Sequence, residues 1–125
     1  MDFATARHNM VESQIKPNRV TDTLVMNALA ELPRENFVPK ALRGIAYVDE
    51  AIDIGDGRHL MEAWVLARLL QTAEVQADDV ALVIGCGSGY EAAVMSYLAS
   101  TVVALESEES LANQAGEVLS GLSID

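Results

Sequence analysis

Val80-Ala81-Leu82-Val83-Ile84-Gly85-Cys86-Gly87-Ser88-Gly89-Tyr90 is the stretch on which the fold turns. Its first five residues form a continuous apolar run of strand length, the pattern of a strand covered on both faces. A glycine cluster follows, and then a helical stretch from about Tyr90 to Ala99. Thr101-Val102-Val103-Ala104-Leu105 is a second buried-type strand, closed by Glu106, and Leu111 to Leu119 has helical spacing. Strand, helix, strand, helix with short connections predicts a parallel α/β sheet.

In a parallel β-α-β unit, ligands lie at the carboxyl ends of the strands, where loop meets helix. Glycine there lets the backbone turn sharply and lets a ligand approach without meeting a Cβ atom. Gly85, Gly87 and Gly89 occupy that position. Glu106 ends the next strand about twenty residues on, where a carboxylate can accept both hydroxyls of a ribose. The blander readings are glycines that merely shape a tight turn, and a Glu106 that opens the acidic run Glu106-Ser107-Glu108-Glu109 at a helix start. The combination of loop and strand-end acid favours a nucleoside site. The dinucleotide fingerprint wants a small residue where this chain has Tyr90, and no Gly-Lys-Ser/Thr follows to make a P-loop. Cys86 has no local His beside it and reads as a small residue lining the pocket.

Working back toward the N-terminus, Asp2 can cap a helix from about Phe3 to Ile15, closed by Pro17. A second helix follows Thr21-Asp22, with Leu24, Val25, Ala28, Leu29 and Leu32 spaced for a buried face, and ends at Pro33. Arg34-Glu35-Asn36-Phe37-Val38 is a connector with two apolar anchors, and a helical turn from Ala41 to Arg43 stops at Gly44. Tyr47 to Ile54 reads as extended chain running into the turn Gly55-Asp56-Gly57. A third helix, about Glu62 to Thr72, directs Trp64, Val65, Leu69 and Leu70 inward. Residues 1–60 are thus expected to form a helical N-terminal segment with an extended turn. Residues 61–125 are expected to begin a cofactor-binding α/β domain.

The charge is unevenly spread. Of a net −11, residues 1–68 contribute only −2, whereas residues 69–125 hold nine acidic residues and no Lys or Arg. That surface repels phosphate backbones, so no nucleic-acid partner is expected. No apolar run is long enough to span a bilayer, and the first residues lack the layout of a signal peptide. One cysteine allows no internal disulfide, which suits a reducing cytosol. A cytoplasmic protein with no membrane partner and no metal is expected.

Two levels of resemblance narrow the cofactor. Gly-x-Gly-x-Gly after a strand resembles motif I of class I methyltransferases, whose ligand, S-adenosylmethionine, carries no phosphate. More specifically, Met10-Val11-Glu12-Ser13-Gln14-Ile15, Val20-Thr21-Asp22, Pro33-Arg34-Glu35-Asn36-Phe37-Val38-Pro39, Ala46-Tyr47-Val48-Asp49, Ile54-Gly55-Asp56-Gly57 and the segment from Ile84 to Val94 are collinear with the protein-L-isoaspartate O-methyltransferase family. The resemblance spans about residues 7 to 120. It implies a Rossmann-like fold, truncated after the second β-α unit. It also implies methyl transfer from S-adenosylmethionine to the free carboxylate of an isoaspartyl residue in a damaged protein or peptide. The residues carried over as cofactor-binding are Gly85, Cys86, Gly87, Ser88, Gly89 and Glu106.

The chain departs from that family at the acceptor side. Where the family has a Gln-Thr-Ile-Ser-like segment with hydroxyl donors, this chain has Arg58-His59-Leu60-Met61. Met61 cannot donate a hydrogen bond to a carboxylate. Arg58 can grip one as a charged fork and His59 can donate one, so both are candidates for positioning the acceptor, against the reading of an exposed turn. Val83 stands where methyltransferases often carry an acid. Two further readings stay open: a methyltransferase for a different small carboxylic acid, and a non-catalytic module that pairs its incomplete sheet with another chain.

Overall fold

The computed structural model describes residues 2–124. Asp2 opens the first helix, α1 (Phe3–Met10), its carboxylate accepting from the Thr5 amide at 3.1 Å. The helical path continues as a wider π-type turn, Val11–Ile15, and a 3-10 turn, Lys16–Asn18, containing Pro17. Asp22 caps α2 (Thr23–Glu31) through the amides of Leu24 and Val25. Val25, Ala28, Leu29 and Leu32 are buried as their spacing predicts, but Leu24 is exposed. It lies one residue, about 100° of helical turn, off the Val25 stripe.

The connector is more than a pair of apolar anchors. Phe37 and Val38 are buried, and so are the charged Arg34 and Glu35 on the 3-10 turn Arg34–Phe37. Arg34 donates from Nε to the Ala46 carbonyl (2.6 Å) and from Nη2 to the Met61 carbonyl (2.9 Å), and its guanidinium lies 4.9 Å from the Tyr90 ring centre. The Tyr47 hydroxyl donates to Glu35 Oε1 at 2.5 Å and accepts from Arg7 Nε at 2.8 Å and the Arg34 amide at 3.1 Å. Burial, reinforced by the bond to Glu35, pushes the Tyr47 hydroxyl up, so it remains a donor. Glu35, paired with Arg7 at 3.3 Å and bonded to Tyr47, has the partners a buried charge needs, whereas Arg34 is held by carbonyls and the Tyr90 ring, and among the described residues its Nη1 has no hydrogen-bond partner. The next 3-10 turn, Lys40–Ile45, runs through Gly44, where a stop was expected.

The extended segment pairs only from Ile52. β1 (Ile52–Gly55) and β2 (Arg58–Leu60) form an antiparallel hairpin, with Ile52 opposite Leu60 and Asp53 opposite His59. Its turn passes through Gly55, Asp56 and Gly57, all at positive φ. In α3 (Ala63–Ala73) the buried face is Ala63, Leu66, Ala67 and Leu70. Of the four residues expected inward, Leu70 is buried, Trp64 and Val65 are half-buried, and Leu69 is 56% exposed. α3 packs against α2 and the π-type turn, and its buried stripe runs through Ala63, Leu66, Ala67 and Leu70.

β3 (Val80–Ile84) and β4 (Thr101–Leu105) pair in parallel, in register from Val80 opposite Thr101 to Ile84 opposite Leu105. α4 (Tyr90–Ser96) makes the crossover and α5 (Glu109–Gly121) follows. The expected parallel α/β arrangement is present, but β3 is not covered on both faces. Val80, Leu82 and Ile84 are exposed, as are Val103 and Leu105, because among the described residues only the face of Ala81 and Val83 is shielded. One core nevertheless joins both ends of the chain, with Met10, Ile15 and Leu29 in the same cluster as Leu60, Tyr90 and Val94. No helix of the described residues is long and apolar enough to cross a membrane.

Candidate cofactor site

The glycine loop begins where β3 ends. The amides of Gly85 and Cys86 both donate to the Leu105 carbonyl, at 2.8 and 3.0 Å, and so bind the loop to the end of the adjacent strand. The Gly89 amide closes the loop onto the Cys86 carbonyl at 2.9 Å. Gly85, Gly87 and Gly89 have φ of 69°, 56° and 94°, conformations that a side chain disfavours. The three are not equivalent in what they face. A Cβ on Gly87 would come within 3.0 Å of Ile54 Cδ1, and one on Gly89 within 3.2 Å of the Ala115 Cβ. These two glycines therefore also let the hairpin and α5 pack against the loop. Gly85 faces the cleft, with Arg58 Nη1 3.5 Å from where its Cβ would be.

Glu106 sits at the tip of β4 with its side chain 1% exposed. Its Oε1 accepts from the Gly87 amide (2.8 Å) and Arg58 Nη1 (2.5 Å); its Oε2 accepts from the Glu108 amide (3.0 Å) and Arg58 Nη2 (2.6 Å). The Glu108 amide, with help from Arg58 and the Gly87 amide, lowers the carboxyl to about 2. Arg58, flagged in the sequence as facing the acceptor, is thus bound to the ribose candidate. It also reaches Ser107 Oγ at 3.5 Å, and Ser110 Oγ approaches Asp56 Oδ2 at 3.3 Å, so the hairpin is fastened over the strand end.

His59 is exposed on β2, beside Arg58. Met61 is partly buried against the core and its carbonyl is held by Arg34, so its side chain serves packing. Cys86 is buried, and burial, with Glu106 and Glu91 nearby, pushes its thiol up, which disfavours a nucleophilic thiolate. Burial likewise raises the Glu91 carboxyl. Among the described residues Ser88 Oγ and Tyr90 Oη are buried without a hydrogen-bond partner.

Space on the two sides of Arg58 differs. Toward the hairpin, a cavity of only about 40 Å³ lies among Ile54, His59, Gly85, Cys86 and Glu91. Toward the sheet, a cleft of about 370 Å³ is lined by Arg58, Ile84, Gly85, Leu105, Glu106 and Ser107. The second is in the size range of a small-ligand site, roughly 300 Å³ and upward. A separate cavity of about 410 Å³ reaches Ser88 between the connector and α5, but includes neither Gly85 nor Glu106. The 370 Å³ cleft thus brings together the bare backbone of Gly85 and the strand-end acid Glu106, with the Arg58 guanidinium on both carboxylate oxygens. Among the described residues no group of three His, Cys, Asp or Glu side chains is placed to hold a metal. The buried network of Arg34, Glu35 and Tyr47 was not read from the sequence as part of this architecture. The pairing of Arg58 with Glu106 was missed too, since 48 residues separate them.

The sequence model of the family described as Protein-L-isoaspartate(D-aspartate) O-methyltransferase (PCMT) matches residues 5–125. A protein-L-isoaspartate O-methyltransferase 1 of Rhodopseudomonas palustris (strain HaA2) is 36% identical over 98% of this chain and 50% of its own length. That of Methanoculleus marisnigri is 38% identical over 90% of this chain and 51% of its own length. The chain spans about half the length of the curated relatives it matches. Among solved structures, a protein-L-isoaspartate O-methyltransferase superposes with a TM-score of 0.82 at 25% identity, covering 95% of this chain and 39% of its own. A Plasmodium falciparum beta-aspartate methyltransferase, solved in complex with S-adenosyl-L-homocysteine, shares the fold at a TM-score of 0.77 and 20% identity, over all of this chain and 60% of its own. With a glycine loop and strand-end acid of this geometry inside a match of that extent, the chain belongs to the protein-L-isoaspartate(D-aspartate) O-methyltransferase family.

Proposed function

We propose that this chain binds S-adenosylmethionine at the ends of β3 and β4 and serves the methyl esterification of isoaspartyl carboxylates in damaged proteins. The observation that carries the reading is the loop Gly85–Gly89 beside the carboxylate of Glu106, at the tips of two parallel strands. When bound, the cofactor supplies a methyl group on a sulfonium, which a carboxylate oxygen can take without a general base.

The work left to the protein is alignment and exclusion of water. Gly85 presents main chain to the 370 Å³ cleft beside Arg58, Cys86 and Ser88 are the small side chains of the same loop, and Gly87 and Gly89 keep the loop in its left-handed turns. Glu106 accepts the ribose hydroxyls. Arg58 and His59, on the hairpin that borders the loop, hold the acceptor carboxylate. On this reading residues 61–125 carry the cofactor loop and residues 1–60 the helical segment and the hairpin. A cytosolic setting suits the lone cysteine, and the acidic second half disfavours a nucleic-acid substrate.

Isothermal titration with S-adenosylhomocysteine tests the cofactor. The chain should bind it, and Glu106→Ala should weaken binding by about tenfold or more, the loss expected for hydrogen bonds to a charged group. Absence of binding by the chain would contradict the reading.

A different small carboxylic acid as acceptor is the second reading. It is favoured by Met61, whose partial burial in the core leaves no hydroxyl where the family has Ser. Methyl transfer to an isoaspartyl peptide, set against a panel of small carboxylic acids, separates the two.

A further inference from the structure

The carboxylate assigned to the ribose is saturated. An ionised carboxylate has about four lone-pair positions. On Glu106 all are taken, by the amides of Gly87 and Glu108 and by the two ends of the Arg58 fork. A ribose diol brings two O–H donors and needs two of these positions. The two amides are fixed by the loop and by the chain leading into α5. Arg58 is the one donor that is a side chain, 30% exposed, on a three-residue strand that follows a turn at positive φ. Arg58 is therefore the donor that must leave.

We propose, on the reading that this loop holds S-adenosylmethionine, that Arg58 is a positioning residue that works by exchange. It occupies both oxygens of Glu106 while the site is empty, yields them to the ribose hydroxyls, and then offers its freed fork to the carboxylate of the methyl acceptor. Guanidinium and carboxylate match as parallel hydrogen-bonded pairs, so the freed group keeps the geometry it had on Glu106. Its position suits both partners: Arg58 lines the 370 Å³ cleft and also the small cavity on the His59 side. Binding is then ordered. The acceptor's anchor becomes available only after the nucleoside has displaced it, and no covalent bond changes in the exchange.

Titration of the 125-residue chain and of Arg58→Gln and Arg58→Lys tests this, with adenosine, S-adenosylhomocysteine and an isoaspartyl peptide as probes. Arg58→Gln removes the competitor and should bind both adenosine and S-adenosylhomocysteine about tenfold more tightly, in line with loss of a charge-assisted pair. Arg58→Lys, which keeps the charge but loses the fork, should fall between the two. The unaltered chain should bind the peptide measurably more tightly when S-adenosylhomocysteine is present, and Arg58→Gln should lose that coupling. Because each expected nucleoside affinity rises, a variant that merely misfolds cannot imitate the result. Equal or weaker nucleoside binding by both variants overturns the exchange while leaving the cofactor reading intact. Peptide binding indifferent to S-adenosylhomocysteine overturns the acceptor role. Silence of all three proteins toward both nucleosides overturns the cofactor reading and the exchange with it.

Discussion

Arg58 and Glu106 meet fork to fork, at 2.5 and 2.6 Å, and join the β1–β2 hairpin to the end of β4 across 48 residues of chain. The pair has a defined acid limit. Glu106 is lowered from an ordinary 4.5 to about 2, so its bonds stabilise the fold fully above pH 4.5, and that stabilisation is lost as pH falls toward 2. In thermal melts the gap between the unaltered chain and Glu106→Gln should be widest near neutral pH, narrow below pH 4.5, and close by about pH 2. A gap that does not change with pH would mean that the carboxylate contributes nothing through its charge.

The Tyr47 hydroxyl is the hub between α1, the connector and Arg34. Tyr47→Phe removes one donor and one acceptor from a site where Glu35 and Arg34 are buried. The expected cost is about 2 kcal/mol, the scale of an unsatisfied buried polar group. Urea unfolding should show a lower midpoint at unchanged slope; an unaltered midpoint would show that water replaces the hydroxyl without loss.

Two glycines make opposite predictions. Gly89→Ala places a Cβ at φ of 94° and within 3.2 Å of the Ala115 Cβ, and should destabilise by about 1–3 kcal/mol. Gly116→Ala, inside α5 with open space around it, should stabilise by up to about 1 kcal/mol through helix propensity. Chemical unfolding of the two variants side by side checks both signs.

What the sequence made legible was whatever is local and periodic. The run Val80–Ile84, the glycines and the strand-end Glu106 stand in the expected order, and the caps at Asp2 and Asp22 are read from single residues. Phase and partnership were harder. Leu24 and Leu69 look inward from apolar type and helical spacing, yet both are exposed, because the buried stripes run through Val25, Ala28 and Leu29 in α2 and through Ala63, Leu66, Ala67 and Leu70 in α3. β2 has only three residues, two of them polar, and offers no alternation to detect. Arg34 looks like an exposed connector residue until Ala46, Met61 and Tyr90 surround it. At the candidate site, Arg58 and Glu106 stand out singly by position, but their mutual contact depends on how the hairpin docks, which no short-range pattern encodes.

The most direct test of the cofactor assignment is a two-dimensional amide NMR titration of the labelled chain with S-adenosylhomocysteine. The account predicts shifts concentrated at Gly85, Cys86, Gly87 and Ser107, with movement of the Arg58 side-chain N–H as it leaves Glu106. Shifts gathered instead around Phe37, Val38 and Val118, where the separate 410 Å³ cavity lies, or no shifts at saturating ligand, would contradict it.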